Sequence, residues 1–166
     1  MSLVLRQGGA ADAPALSRIF RACILRGTKH AYSAEQRLAW AGSRPDPAAW
    51  RQRVQGIDIR ILEKDGAAIG FAGMQDDCFD LLFVHPDHAG QGHARRLHDP
   101  LVAEARARGI LRLTAHASHV SRPVFAHFGW QAGEEAEAER GGVLLGYTVM
   151  TLGLMGGSSA RAGSGG

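Results

Sequence analysis

The stretch 84–97, Val-His-Pro-Asp-His-Ala-Gly-Gln-Gly-His-Ala-Arg-Arg-Leu, constrains the fold most, because it predicts a strand, a glycine turn and a helix in succession. The apolar run 79–84 has the length and composition of a buried strand. Pro86 ends that strand, since proline cannot donate to a sheet ladder. Gly90 and Gly92 then allow the backbone to approach a ligand closely.

The start of the predicted helix is a candidate anion-binding site. Its first amides have no intrahelical acceptor and lie at the positive end of the dipole, so the N–H groups from Ala89 to Ala94 can converge on a phosphate. Arg95 and Arg96 would add positive charge. The alternative is a strand-to-helix turn that merely needs glycine. Two known phosphate loops are excluded: the chain has no Gly-Lys-Ser/Thr, and Arg95 stands where the dinucleotide fingerprint needs a small residue.

This segment resembles the acetyl-CoA loop of the GNAT N-acetyltransferases, whose usual form is Val-x-Pro-x-x-Arg/Gln-Gly-x-Gly-x-Gly/Ala. The matching positions are Val84, Pro86, Gly90, Gly92 and Ala94. Ala89 stands where the family usually has Arg or Gln. We therefore expect weaker cofactor affinity, since one side chain near the pyrophosphate is missing while the backbone amides remain.

A second motif spans 117–130, Ala-Ser-His-Val-Ser-Arg-Pro-Val-Phe-Ala-His-Phe-Gly-Trp. It is similar to the Ala-Ser-x-x-Ala/Ser-x-Pro-Phe-Phe-x-x-x-Gly-Phe signature of a small bacterial branch of the same family, in which a short helix flanks the pantetheine arm of the cofactor. The resemblance covers residues 1–152 and is specific to the superfamily, not to a substrate. We expect residues 153–166, rich in glycine and serine, to form a flexible tail.

The resemblance implies the α+β GNAT fold: a mixed, mostly antiparallel sheet of six to seven strands, flanked by about four helices and splayed at the central strand. Sequence patterns agree with it. Asp12, Ser33 and Asp46 are candidate helix N-caps, and Asp65-Gly66 is a hairpin signal. The end of the chain predicts two closing strands, 131–135 and 143–150, around an acidic turn.

The composition limits which binding partners and which cellular compartment are expected. The formal charge of +3 over 166 residues comes without a run of like charges, which gives no support to nucleic-acid binding. The chain lacks a signal-peptide core and any long apolar stretch, so neither export nor a membrane association is expected. Two cysteines make no disulfide framework, and we expect a cytoplasmic protein with free thiols. The resemblance also suggests a homodimer.

By resemblance, the acetyl-CoA co-substrate contacts the central strand, the glycine loop and the second motif. The candidate cofactor-binding residues are Leu82, Phe83, Val84, Ala89, Gly90, Gln91, Gly92, His93, Ala94, Arg95, Ser118 and Phe125. In the family, a tyrosine often stands at the position of Phe125 and protonates the leaving thiolate. Phenylalanine cannot do so, and another donor or water must serve.

Two residues are candidate general bases. Asp80 is a charged residue within an apolar strand and needs a partner or a wet cavity, although it could equally be a strand-end aspartate in solvent. His116 is the other candidate, because histidine is a common general base in enzymes, but it could also be a packing residue. Tyr32 and Trp40 are candidate acceptor-site residues, with packing as the alternative. The short histidine spacings lack matching cysteines or carboxylates, so no metal site is expected.

The function expected from the resemblance is direct transfer of acetyl from acetyl-CoA to a primary amine of a small molecule or a peptide. The alternative is a module that holds CoA or acyl-CoA with little turnover, suggested by Ala89 and Phe125. A dinucleotide-dependent oxidoreductase would require a parallel sheet, which the Asp65-Gly66 hairpin argues against.

Overall fold

A computed structural model describes residues 2–154 and shows seven strands and five α-helices. The strands are β1 (Leu3–Gly8), β2 (Asp58–Lys64), β3 (Ala67–Gln75), β4 (Cys78–Val84), β5 (Arg112–Ser118), β6 (Gln131–Arg140) and β7 (Val143–Gly153). The helices are α1 (Ala13–Gly27), α2 (Ala34–Ala41), α3 (Pro47–Arg53), α4 (His93–Ala107) and α5 (Ser121–His127). The predicted α+β class is confirmed.

All seven strands form one sheet in the order β1-β2-β3-β4-β5-β7-β6. The β4–β5 pair is parallel, because α4 connects the two strands, and every other pair is antiparallel. The predicted β2–β3 hairpin is confirmed. Asp65 and Gly66 both have positive φ, 52° and 84°, as a tight type I′ hairpin turn requires.

Each face of the sheet buries its own hydrophobic cluster. On one face, α1 and α3 pack on Ile61, Phe71 and Leu81. On the other face, α4 and α5 cover a larger cluster that includes Phe79 and Phe125. A sheet covered by helices on both sides explains why the strands at its centre are apolar.

Two of the predicted helix starts are confirmed by their hydrogen bonds. At α2, Ser33 and Gln36 form the reciprocal capping box, with Ser33 Oγ accepting from Gln36 N at 3.1 Å. At α3, Asp46 Oδ1 accepts from Ala49 N at 3.0 Å. Asp12 stands at the start of α1, but its carboxylate binds elsewhere, to Gly9 N and to the Arg6 guanidinium.

The predicted acidic turn between the last two strands is wrong. Its glutamates belong to β6, which runs from Gln131 to Arg140, and the turn is formed by Gly141 and Gly142 with positive φ. β6 is the edge of the sheet and is exposed along most of its length, so charged side chains are tolerated there, and pairing with β7 overrides their low strand propensity.

Ordered structure continues slightly beyond the expected domain. β7 extends to Gly153, and Leu154 is buried, with its amide donating to the Leu111 carbonyl at 2.8 Å. The rest of the predicted tail, 155–166, lies outside the described residues. Within residues 2–154, no helix is long and apolar enough to cross a membrane.

Candidate active site

The sheet splits between its two parallel strands. β4 and β5 are paired only at Cys78 and Thr114, and the Thr114 amide donates to the Asp77 carbonyl at 2.9 Å. Beyond that point the strands run in the same direction without further pairing, so a cleft opens toward their carboxyl ends. The splayed central strand predicted for this fold is confirmed.

A β-bulge in β4 lies at the start of the split. Gly73 pairs with Leu81 and Met74 with Phe79, so that Asp80 has no partner on β3. The extra residue turns Phe79 and Leu81 to opposite faces of the sheet, one into each hydrophobic cluster. Bulges bend a strand and re-aim a side chain. This one leaves the Asp80 carboxylate exposed at the split.

The far half of β4 has an unpaired backbone edge. His85 N donates to the Ile69 carbonyl at 2.8 Å, and along an antiparallel ladder alternate residues point their backbone groups toward the partner strand. Phe83 therefore faces β3 with its backbone, while Leu82 and Val84 present their N–H and C=O groups to the cleft.

Cys23 of α1 forms a hydrogen bond with one of these backbone groups. Its thiol donates to the Val84 carbonyl at 3.0 Å, and burial raises the pKa of the thiol to about 12. The thiol is therefore neutral, and it shields that carbonyl from water at the edge of the cleft.

The loop after β4 and the first residues of α4, residues 90–95, form a set of backbone groups that we call the cradle. Gly90 and Gly92 have φ of +75° and +80°, a conformation that favours glycine. The first helical hydrogen bond of α4 runs from Arg96 N to the Gly92 carbonyl at 3.3 Å, so the amides of His93 to Arg95 have no intrahelical acceptor. A Cβ added at Gly90 would meet no atom within 4 Å, which leaves open space over the loop. This geometry suits an anion.

Side chains hold the loop in shape. Arg96 Nη1 donates to the Gln91 carbonyl at 2.9 Å and lies 3.3 Å from His93 Nδ1, while His93 Nε2 lies 3.2 Å from Gln91 Oε1. The network fits a neutral His93 whose Nε2–H donates to Gln91. Burial, together with the charge of Arg96, lowers the pKa of His93 in agreement with that tautomer. Arg96 thus braces the cradle.

Arg95 and Asp87 tie the loop to its surroundings. The Arg95 guanidinium lies 4.6 Å from the ring centre of Phe128, in cation–π geometry, and 3.6 Å from the Asp99 carboxylate. Asp87 forms an ion pair with Arg26 of α1 at 2.6 Å, which lowers the pKa of the Asp87 carboxyl group. Both contacts are exposed and add little stability, but they restrict where the loop can lie.

The cleft between the two strands, the β4–β5 cleft, has a volume of about 1280 Å³. Its wall joins the open edge of β4, the cradle and the start of α5. All twelve residues predicted to bind the cofactor line it: Leu82, Phe83, Val84, Ala89, Gly90, Gln91, Gly92, His93, Ala94, Arg95, Ser118 and Phe125.

A second cleft of about 1060 Å³, the α2–α3 cleft, lies between these two helices and β7. The two clefts meet at a small set of side chains that line both: Trp40, Asp80, Phe83, His116 and Ser118. Both candidate bases therefore lie at the junction. Asp80 and His116 each stand two residues beyond the last β4–β5 pair, on opposite sides of the split. His116 is exposed and stacks on Tyr147, with the ring centres 4.8 Å apart.

Of the two candidate acceptor residues, Tyr32 has a fully engaged hydroxyl. It donates to the Gly146 carbonyl at 3.2 Å and accepts from His119 N at 2.9 Å, and its ring stacks on His119. Burial raises its pKa. Tyr32 thus ties β7 to the loop before α5 and presents only its ring to the α2–α3 cleft, whereas Trp40 lines both clefts.

The second motif folds as a turn and a short helix beside the β4–β5 cleft. Ser118 Oγ accepts from Ser121 N at 3.1 Å at the start of α5. Phe125 is buried against Phe79 and Trp130, with ring centres 5.8 and 5.0 Å away. Phe125 therefore shapes the wall of the cleft as a core residue.

The open strand edge, the glycine cradle and the split of the sheet agree with a family comparison. A model of the acetyltransferase (GNAT) domain matches residues 28–152. The chain belongs to the GNAT acetyltransferase family.

Solved structures agree with this membership. A crystal structure of a GCN5-related N-acetyltransferase from Rhodopseudomonas palustris is similar at 35% identity and a TM-score of 0.86, covering 92% of this chain and 96% of that one. A phosphinothricin acetyltransferase from Sinorhizobium meliloti, in complex with acetyl-CoA, matches at 20% identity and a TM-score of 0.69, over 99% of this GNAT chain and 95% of the other. The second likeness bears on the fold alone.

Among curated proteins, this GNAT chain is similar to the L-amino acid N-acyltransferase MnaT of Escherichia coli (strain K12), with 28% identity over 118 residues. The match covers 63% of this chain and 64% of MnaT. The chain thus spans less than two thirds of the length of that relative.

Several residues at the site escape prediction from sequence. Cys23 reaches the open edge of β4 from α1, and Phe20 and Trp50 line the α2–α3 cleft. Arg53 and Arg140 enter the same cleft from α3 and from the end of β6. None belongs to a motif, and only the packing of distant elements brings them to the cleft. Among the described residues, no group of three or more His, Cys, Asp or Glu could hold a metal ion.

Proposed function

We propose that this GNAT protein is an acetyl-CoA-dependent N-acetyltransferase that transfers acetyl directly to a primary amine of a small molecule or a peptide. The observation that carries the proposal is the junction of the two clefts. One cleft leads from an anion cradle along an open strand edge, the other opens to solvent, and Asp80 and His116 line both.

The β4–β5 cleft suits the three chemical parts of acetyl-CoA. The amides of His93 to Arg95 and the glycine loop would hold the pyrophosphate. The backbone N–H and C=O of Leu82 and the N–H of Val84 would pair with the pantetheine amides, as an added strand does at an open sheet edge. A backbone N–H of this part of β4 would then face the thioester carbonyl and stabilise its developing negative charge.

The reaction in this proposal is a single displacement. The amine nitrogen attacks the thioester carbonyl carbon, a C–N bond forms, the C–S bond breaks, and the sulfur leaves as a thiolate. Asp80 through a water, or His116 directly, takes the proton that the amine loses. Phe125 has no proton for the thiolate, so the hydroxyl of Ser118, which lines both clefts, and water are the candidate donors in the described chain.

A second function is favoured by two side chains in the same cleft. Ala89 offers no side-chain donor beside the cradle, and Phe125 cannot act as an acid. A module that holds CoA or acyl-CoA with little turnover would tolerate both. The two functions differ in one outcome, the formation of an N-acetylated product.

Mass spectrometry of reactions with acetyl-CoA and a panel of amines and short peptides tests the proposal. We expect an acetylated amine and one released CoA per product. Asp80→Asn and His116→Gln should each be compared with wild type, because removing the working base should lower kcat/KM while acetyl-CoA still binds. Acetyl-CoA binding without any acetylated amine would overturn the transferase and leave the binding module.

The cytoplasmic location and the homodimer belong to the same proposal. Cys23 and Cys78 are both free thiols, which is the rule in the reducing cytosol. Cell fractionation and sedimentation of the full chain would test the two expectations separately.

A further inference from the structure

The α2–α3 cleft carries a group of positively charged side chains, which we call its mouth, that the proposed chemistry does not use. Three arginines line it, Arg44 after α2, Arg53 in α3 and Arg140 at the end of β6, and all three are exposed. Within residues 2–154, none of them forms an ion pair with a carboxylate. Three separate elements therefore bring unneutralised positive charge to one opening.

The carboxylates of this cleft do not offset the arginines. Only Asp46 and Asp80 line it among the acidic residues described. Asp46 is engaged at the start of α3, where its Oδ1 accepts from Ala49 N at 3.0 Å. Asp80 lies at the junction with the β4–β5 cleft, where the amine is expected. The cleft thus separates a negative inner end from a positive mouth.

Strand register gives the length of this separation. Arg140 pairs with Val143 at the hairpin end, and Tyr147 stacks on His116 at the junction. The four residue-to-residue steps along β7 from Val143 to Tyr147 span about 13 Å at about 3.3 Å per step. The carboxylate of a free α-amino acid is only two bonds from the amine nitrogen, so an acceptor with more bonds between these two groups fits this backbone span better.

The inner wall of the cleft is aromatic. The ring of Phe20 lies 5.2 Å from that of Trp50 and 5.4 Å from that of Phe83, and Trp40 lies 6.5 Å away. Arg53 stacks on Trp50 at 5.1 Å, and Trp50 lines only the α2–α3 cleft, whereas Trp40 and Phe83 lie at the junction of the two clefts. This wall suits an apolar group near the reacting amine.

We propose that the acceptor is an elongated amine with an apolar group beside the nitrogen and an anionic group several bonds away, as in a short peptide with an acidic residue beyond an apolar N-terminal residue. The inference rests on the transferase proposed above and names its substrate class. The arginines at the mouth bind the remote carboxylate, and Asp80 and His116 receive the amine.

The test uses matched tripeptides, Phe-Gly-Glu and Phe-Gly-Gln with amidated C-termini, together with free phenylalanine. For wild type we expect higher kcat/KM with the glutamate peptide, and poor activity with phenylalanine. In Arg53→Gln and Arg140→Gln, the preference for glutamate over glutamine should fall by about fivefold, the upper range for one exposed ion pair. Arg51→Gln is the matched control, since Arg51 is exposed on the same helix but does not line the cleft.

A second measurement separates this inference from the transferase. Trp40 and Trp50 line the cleft, so peptide binding in the presence of CoA should change tryptophan fluorescence. Glutamate-selective binding that needs Arg140, without acetylation, would keep the anion subsite and refute the transferase. Acetylation with equal kcat/KM for the two peptides, or with free phenylalanine as the better acceptor, would overturn the inference and keep the transferase. Neither binding nor acetylation of either peptide would overturn the inference.

Discussion

The glycine cradle can be tested with two substitutions that have the same backbone cost. Gly92 immediately precedes α4 with φ of +80°, and Gly109 follows the same helix with φ of +81°. A Cβ at Gly92 would meet no atom nearer than 3.5 Å, the flexible end of Arg96, and one at Gly109 would meet none within 4 Å. Gly92→Ala and Gly109→Ala therefore introduce a methyl group without a clash in the free protein.

The expected stability loss is the same for both variants. A non-glycine residue in the left-handed region costs about 1–2 kcal/mol. The reduced freedom of the unfolded chain returns about 0.4–1 kcal/mol. The net loss should be about 1 kcal/mol, which lowers Tm by about 2–4 °C for a domain of this size.

Only Gly92→Ala should weaken acetyl-CoA binding. Its methyl group would stand in the loop whose free amides, His93 to Arg95, approach the pyrophosphate, and we expect Kd to rise about tenfold, or about 1.4 kcal/mol. Isothermal titration calorimetry measures both variants against wild type, after thermal melts show equal destabilisation. Equal acetyl-CoA affinity in the two variants would refute the assignment of the cradle.

Three further predictions concern buried polar groups. Trp130→Phe removes the indole N–H that donates to the buried His98 Nε2 at 2.9 Å. Urea denaturation should show that the free energy of unfolding falls by about 1–3 kcal/mol. An unchanged denaturation midpoint would contradict this hydrogen bond. Burial lowers the pKa of His98, so its contribution to stability is complete above the unfolded pKa of about 6.5 and is lost as pH falls toward the lower folded pKa. As pH falls through this range, the midpoint of urea denaturation should decrease less steeply for His98→Gln than for wild type. The same pH dependence in both proteins would refute the lowered pKa of His98. Tyr32→Phe leaves the Gly146 carbonyl and His119 N without their partner. In the same assay, the free energy of unfolding should fall by about 0.5–1.5 kcal/mol. Wild-type stability of this variant would contradict the prediction.

Features encoded by neighbouring residues could be predicted from the sequence. The cradle depends on Gly90 and Gly92, the start of α2 on Ser33 and Gln36, and the first hairpin on Asp65 and Gly66. In each case a specific φ or a short-range hydrogen bond needs particular residue types at a fixed spacing. The fold itself was predicted from the resemblance of the two motifs to the GNAT family, and the order of these signals along the chain agreed with it.

Features that depend on distant contacts could not be predicted in the same way. The length of β6 is set by pairing with β7, which gives strand structure to a glutamate-rich segment of low intrinsic propensity. The bulge at Asp80 depends on how β3 pairs with β4. Arg140 reaches the α2–α3 cleft only because the β6–β7 hairpin extends that far. No local sequence pattern predicts any of these three features.

Hydrogen exchange of the full chain, with and without saturating acetyl-CoA, tests the central claim most directly. If the cofactor lies along the open edge of β4 and in the cradle, acetyl-CoA should slow exchange in peptides that cover Leu82 to Val84 and Gly90 to Arg95. Exchange in the exposed β6 edge should stay the same. Unchanged exchange at both cofactor segments, or protection there by NADH and not by acetyl-CoA, would contradict the account.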